Sequence, residues 1–345
     1  MTRRRRIAII GLGMAVTPHA KSLIDLADQV EVVRAISPSR QRRQAFAEHF
    51  AFALGDSLEP VLQDDSVEIA AVLTPPNTHL EIVTALARAG KHILLEKPLE
   101  IASERAEGLV RVCADAGVTL GVVLQHRFKP AAERLAAILK AGGLGQIVGA
   151  STSLRLWRPQ SYYDEPGSGS LARDGGGVLL TQGIHTLDLL LSLAGPVLEV
   201  CGYATTTAVH RMQTEDLVCA AARFASGAVG VIEASTAAYP GAPERIELIG
   251  TSGTAALAGT ALGVAYQDGR REEVTADASA GGTGADPMAF PHDYHLGVWR
   301  DFLAAVDERR PPRVSGREAL RVHRLIDALL VAAASDGKVQ VSASG

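Results

Sequence analysis

The residues best suited to chemistry in this chain of 345 residues are a lysine and a histidine in very different settings. Lys97 ends the apolar run of "HILLEKPLE", between Glu96 and Pro98. Burying an unpaired ammonium is costly, so Lys97 either marks where a strand reaches water or meets a ligand there. Pro98 cannot continue a sheet ladder and turns the chain away. His185 lies in "GGGVLLTQGIHTLDLLLSLAG", a stretch that reads as one helix over 175–194. At about 100° per residue, Thr181, His185 and Asp188 share one face, and leucines cover most of the remainder. A histidine held by a carboxylate one turn away is an oriented general acid or base; the bland reading is a polar stripe facing water.

A second set of residues has the pattern of an anion cradle. "GLGMAV" follows the strand-like "RIAII" and opens a helix, so Gly11, Gly13, Met14 and Ala15 could bring backbone N–H groups and a helix dipole to a pyrophosphate. Val16 stands where the third glycine of G-x-G-x-x-G belongs, and tight strand-to-helix turns use glycine anyway. The second strand ends in "AISPSRQRR", with Ser37 where an acid would read a free ribose 2′-hydroxyl. Ser37, Ser39 and Arg40, with Arg42 and Arg43 behind them, suit a 2′-phosphate, which favours NADP over NAD; the alternative is a solvated basic helix face. In "LTPPNTH", Thr74, Pro75 and Asn77 should lie at the carboxyl edge of the sheet, where open α/β sheets bind ligands. His79 belongs to the same segment, or is a helix-surface histidine with no role.

These residues need elements to hold them. Residues 5–125 alternate strand-like and helix-like segments with short connections, which predicts an α/β, doubly wound parallel sheet with helices on both faces. Lys97 then falls at the same carboxyl edge as Thr74, one strand over, facing a cofactor cleft. After residue 126 the rhythm changes to a long strand, the histidine-bearing helix and several strands separated by "SG" and "TSG" turns. That predicts an α+β domain with an open, mostly antiparallel sheet, a glycine-rich loop over 281–291 and two closing helices at 293–308 and 316–335. The expected domains are 1–125 and 126–345, the C-terminal helix being free to pack back on the first.

Composition narrows the function classes. Hydrophobic residues make up 47% and aromatics 4%, a globular composition with an aliphatic core. A net charge of −4 gives no reason to expect nucleic acid or an anionic membrane as partner. Cys113, Cys201 and Cys219 are far apart without a Cys-x-x-Cys, which argues against a disulfide framework or structural zinc. Arg3–Arg6 before "IAIIGLGMAV" superficially resembles a twin-arginine export signal, but the downstream pattern favours a first strand and a cytoplasmic protein. No apolar run is long enough to span a bilayer.

Taken together, Gly11-Leu-Gly13, Thr74-Pro-Pro-Asn77-Thr-His79, Glu96-Lys97-Pro98 and Gly175-Gly-Gly177…Gly183-x-His185-x-x-Asp188 resemble the glucose–fructose oxidoreductase/inositol dehydrogenase (Gfo/Idh/MocA) family, over nearly the whole chain. The resemblance implies an N-terminal Rossmann domain and a C-terminal domain for substrate binding and for homodimer or homotetramer contacts. It also implies a nicotinamide cofactor and a sugar, cyclitol or related polyol substrate. In that family the Glu-Lys-Pro lysine is catalytic and contacts substrate and nicotinamide ribose; here that is Lys97, with Glu96 beside it. His185 is the second acid/base candidate. Many members carry an aspartate four residues before that histidine, where this chain has Thr181, which can hydrogen-bond a substrate but cannot relay a proton. "RLWRPQSYYDE" resembles a substrate-contacting segment of part of the family, making Trp157, Arg158 and Tyr163 candidates; the alternative is a strand end packing on its neighbour. His292 and His295 of "PHDYH" form a pair with no third ligand in view, so no metal is expected.

The implied chemistry is hydride transfer from a carbinol carbon while Lys97 or His185, meeting across the nicotinamide, takes the hydroxyl proton. An ordinary lysine titrates at about 10.4, so burial and neighbouring positive charge would have to lower it. Two rivals share the fold: an NADP-binding regulator of sugar metabolism without turnover, and an NAD-dependent glycosidase that oxidises transiently.

Overall fold

The computed structural model describes residues 4–275, 291–335 and 337–342. Its first elements are β1 (Arg5–Ile10), α1 (Val16–Asp25), β2 (Val30–Ile36), α2 (Arg40–Ala47), β3 (Leu54–Gly55) and α3 (Glu59–Gln63). Then come β4 (Ile69–Val72), α4 (His79–Arg88), β5 (His92–Leu95), α5 (Ser103–Asp115), β6 (Leu120–Val122) and α6 (Pro130–Lys140). The middle holds β7 (Ile147–Arg155), α7 (Gln160–Tyr163), α8 (Ile184–Ala194), β8 (Val197–Thr205), β9 (Leu217–Phe224) and β10 (Val229–Ser235). The last are β11 (Arg245–Gly250), β12 (Gly253–Ala258), β13 (Ala261–Tyr266), β14 (Arg271–Val274), α9 (Asp293–Glu308), α10 (Gly316–Ser335) and β15 (Val339–Gln340).

Two compact units result, one of residues 1–124 with 291–320, the other of 125–290 with 321–345. A single cut near residue 125 therefore misses one feature: α9 and the start of α10 return to the first unit. The glycine-rich loop expected at 281–291 lies, apart from Pro291, outside the described residues. Among the described residues no helix is long and apolar enough to cross a membrane.

In the first unit, Ile7–Ile10 and Ile69–Val72 are apolar on both faces, and both runs are buried. Strands covered on both sides read this way in parallel sheets. The order is β3-β2-β1-β4-β5-β6, all parallel. Connections reverse direction between β1 and β4, which opens a crevice at their carboxyl ends. Val72 pairs with Leu95, so the residues leaving β4 and β5 emerge side by side. On one face α9 packs against α1 and buries Trp299 and Phe302.

The second unit carries a sheet of nine strands in the order β14-β13-β12-β11-β7-β10-β9-β8-β15. Every pair is antiparallel except β7 with β10. Burial alternates strictly along β9 and β11, as expected of a sheet with one covered and one open face. Helix α8 lies against β7 on the covered face. The helix expected over 175–194 starts later: Leu179–Gly183 is a π turn, and α-helical geometry begins at Ile184. Helix α5 begins at Ser103, with Ala102 at the cap position.

Candidate functional site

The first unit assembles its candidate groups along the carboxyl edge of the parallel sheet. Gly11 has φ +103°, and a Cβ there would lie 2.7 Å from the Leu73 carbonyl carbon and oxygen. Only glycine fits where this turn crosses β4. Gly13 differs, since a Cβ there would meet nothing within 4 Å. Open space above Gly13, the exposed Met14 and an Ala15 cap with no side-chain bond leave the start of α1 clear for an anion. These residues fit a dinucleotide pyrophosphate.

The loop after β2 uses its polar groups locally. Ser37 is buried, and its Oγ accepts from the Ser39 N–H at 3.3 Å. Ser39 caps α2 by accepting from the Arg42 N–H at 3.3 Å. Arg43 donates to the carbonyls of Ser37 and Pro38, at 2.5 and 3.1 Å. Arg40 is exposed at the first position of α2. Of the arginines singled out there, Arg43 is tied into the loop and Arg40 faces outward.

After β4, Thr78 donates to Pro75 O at 2.7 Å and lies 2.9 Å from the Thr74 hydroxyl, holding a 3₁₀ turn over Pro76–Thr78 with Asn77 exposed. His79 is neither a surface residue nor a group open to a cofactor. It is 0% exposed, with Nε2 at 2.8 Å from Thr74 O and Nδ1 at 3.1 Å from both Pro98 O and Leu99 O. The ring straps the β4 loop to the Glu-Lys-Pro turn. Burial pushes its pKa below the ordinary value, although the three carbonyls pull the other way.

Glu96 holds the turn from within. Its Oε1 lies 3.0 Å from His19 Nε2, and its Oε2 accepts the Lys97 backbone N–H at 3.0 Å. Burial opposes the charge of this carboxylate, yet the His19 hydrogen bond and the neighbouring Lys97 cation hold its pKa below the usual range. Composition gave no sign of His19, but helical spacing did: it sits among Val16, Ala20 and Leu23 on the buried face of α1. His295, expected beside His292, lies inside with Nε2 at 4.0 Å from Glu96 Oε1. His292 instead reaches Asp25 at 2.7 Å. Burial, helped by His19, pushes His295 down to about 3, so its ring is neutral at ordinary pH.

The second unit holds the histidine helix in an unexpected way. Asp188, 0% exposed, is bound bidentately by Arg127 at 2.6 and 2.7 Å. The aspartate's charge is therefore met by an arginine that the sequence reading did not pair with it. His185 stacks on His126, ring centroids 4.9 Å apart and planes 29° from parallel. His126 Nδ1 lies 3.9 Å from Glu244 Oε1, which also pairs with Lys129. From the π turn, Thr181 Oγ1 donates back to Gly177 O at 2.6 Å. Glu215 closes the front of that turn, accepting from the N–H groups of Gly177 and Leu179 at 3.1 Å each. Burial raises the Glu215 pKa. A Cβ on Gly177 would lie 2.0 Å from Glu215 O, so the glycine run allows a close backbone approach.

The segment 155–165 divides. Tyr163 is buried, its hydroxyl 2.7 Å from Thr236 Oγ1, and burial pushes its pKa up to about 12. Arg158, also buried, donates to Trp157 O at 3.1 Å and lies 5.6 Å from the Tyr162 ring centroid. Both are packed as a strand end packs on its neighbours. Trp157 is half-buried, edge-on to Tyr239 at 5.4 Å. Tyr162 was passed over in the sequence, yet its hydroxyl accepts from Gln182, next to Thr181, at 3.4 Å.

Comparison with known proteins follows this division of the chain. A family model described as the oxidoreductase family with an NAD-binding Rossmann fold matches residues 5–124. A model of the GFO/IDH/MocA C-terminal domain matches residues 132–256. The chain is 28% identical over 325 residues to a myo-inositol 2-dehydrogenase of Thermotoga maritima, covering 91% of each. It is 28% identical over 326 residues to a D-xylose 1-dehydrogenase (NADP(+)) of Haloferax volcanii, covering 91% of this chain and 93% of the relative. Among solved structures, the WlbA dehydrogenase from Bordetella pertussis in complex with NADH and UDP-GlcNAcA superposes with a TM-score of 0.84 at 27% identity, over 99% of this chain and 100% of that one.

Proposed function

This chain belongs to the GFO/IDH/MocA oxidoreductase family, and on that premise we propose that it is an NAD(P)-dependent dehydrogenase of a sugar, cyclitol or related polyol. Dehydrogenases of inositol and xylose among its relatives support that substrate class. The observation that carries the reading lies within the first unit. The Gly11 turn meets Leu73 at the point where strand order reverses, and Lys97 leaves the neighbouring strand at the same edge. A dinucleotide would be held by Gly11, Gly13, Met14 and Ala15, with Thr74, Pro75 and Asn77 nearby and Ser37, Ser39 and Arg40 toward the adenosine ribose. The outward Arg40 supports NADP as the somewhat better cofactor, NAD being the alternative.

When bound, the nicotinamide supplies the hydride acceptor. Lys97 takes the proton of the substrate hydroxyl, and in reduction returns it to the developing alkoxide. His185, backed by the His126 ring, is the second acid/base group. Thr181 and the half-buried Trp157 contribute to the substrate side, with the buried Arg158 and Tyr163 supporting that segment. The free thiols of Cys113, Cys201 and Cys219 support a cytoplasmic setting.

Binding isotherms for NADPH and NADH, followed by a panel of polyols, cyclitols and aldoses watched at the nicotinamide absorbance, test the proposal. A polyol-dependent absorbance rise is the expected result. Tight cofactor binding with no absorbance change across the panel would count against it.

A further inference from the structure

Within the first unit, four side chains far apart in sequence meet beneath the Glu-Lys-Pro turn: His19 of α1, Glu96, and His295 and Trp299 of α9. The Trp299 indole N–H lies 3.1 Å from His19 Nδ1. An indole nitrogen can only donate, so Nδ1 must accept, and the proton of the neutral His19 ring sits on Nε2. That Nε2–H points at Glu96 Oε1, 3.0 Å away, and the other carboxylate oxygen receives the Lys97 amide. His19 is 0% exposed and Trp299 likewise, so water has no part in choosing the tautomer.

We infer that His19 is a positioning residue: locked by Trp299 in its Nε2–H form, it clamps the Glu96 carboxylate and thereby fixes the backbone from which the Lys97 amine projects. This rests on the assignment of Lys97 given above. The chain of hydrogen bonds runs from α9 through α1, the helix that opens the dinucleotide turn, to the catalytic lysine. A shift of that lysine by a fraction of an ångström is enough to slow proton transfer.

A rival use of the same atoms is a metal site. Ligand atoms of His19, Glu96 and His295 lie within 4.8 Å of one another, and two histidines with one carboxylate make a zinc-type donor set. The indole argues against it. A metal on His19 Nε2 would move the ring proton to Nδ1, where it would face the Trp299 N–H. The donor set as arranged carries a proton where a metal would need a lone pair.

The test uses the full chain with His19→Leu, His19→Gln and Trp299→Phe. The protein has two tryptophans, so its two indole N–H signals in an NMR spectrum are readily separated. His19→Leu should move the Trp299 indole and Lys97 amide signals, leave the Trp157 indole in place, and cut kcat at least tenfold. Cofactor Kd should stay within threefold. His19→Gln, which restores a donor to Glu96, should recover most of kcat. Trp299→Phe should lower kcat too, and less than additively in combination with His19→Leu. Wild-type kcat in His19→Leu would overturn the inference. So would a loss that follows only the thermal midpoint and that His19→Gln does not repair, or stoichiometric zinc that is lost in His295→Gln. If the wild-type chain oxidises no polyol, the functional reading falls, and the two NMR signals still decide the role of His19.

Discussion

Lys97 and Glu244 are the residues whose charge states make the sharpest predictions. Lys97→Met removes the amine and keeps an apolar stem of similar length. It should leave cofactor binding near wild type while turnover falls by about a thousandfold, within the range general acid–base groups contribute. Turnover within a few-fold of wild type would refute the assignment. Burial works against the Glu244 carboxylate, but Lys129 and His126 hold its pKa down at about 2. Because the folded value is depressed, this group's stability is present above its unfolded pKa, near 4.5, and is lost as pH falls through 2. Acid unfolding followed by circular dichroism should therefore show a loss of the order of 3 kcal/mol from this group between those limits. Glu244→Gln should lack that component of the pH dependence; an unchanged profile would place the sensitivity elsewhere.

At the scale of elements, a turn and a helix junction matter most. Gly11→Ala forces a Cβ into the Leu73 carbonyl at a φ of +103°. The strain should cost about 1–3 kcal/mol and weaken cofactor binding more than tenfold, read by thermal melting and by titration with NADPH. The Arg127–Asp188 pair joins the 3₁₀ turn Gln125–Phe128 to α8, with both side chains buried. Removing one partner strands the other's charge, so Arg127→Met should cost about 3–5 kcal/mol in urea unfolding. The double variant Arg127→Met, Asp188→Leu should be less destabilised than Arg127→Met alone. The periodicity that grouped Thr181, His185 and Asp188 assumed a regular α-helix. The π turn shifts Thr181 out of that phase before α8 begins, while His185 and Asp188 both lie within α8.

For the whole molecule the open face of the nine-stranded sheet is decisive. Val229, Val231 and Ile249 are each more than half exposed, and Tyr203 is 74% exposed. Ile249, Gly149 and Val229 lie in one row across β11, β7 and β10, and Val231 sits in a neighbouring row with Ala221. Large apolar side chains left on the open face, interleaved with charged ones such as Glu247 and Arg223, are what a surface for a second copy of the chain would use. Sedimentation of the wild-type chain should give a homodimer or homotetramer, and Val231→Lys with Ile249→Glu should give monomers of unchanged fold. A monomeric wild type would reject the sheet as the assembly surface.

Much of this protein was written locally. Continuous apolar runs such as Ile69–Val72 point to parallel strands, the alternation Arg245-Ile-Glu-Leu248 in β11 points to a one-sided sheet, and the Gly11 turn between strand and helix points to a phosphate-type cradle. Each follows from the chemistry of neighbouring residues, so a reader of the sequence reaches it without knowing the fold. The partners of charged and polar side chains do not follow in that way. His19 finds Glu96 across 77 positions and Trp299 across 280, and Asp188 takes Arg127 across 61. Those choices are made by packing, because a buried charge or donor takes whichever partner the assembled core brings within 3 Å, at whatever distance along the chain.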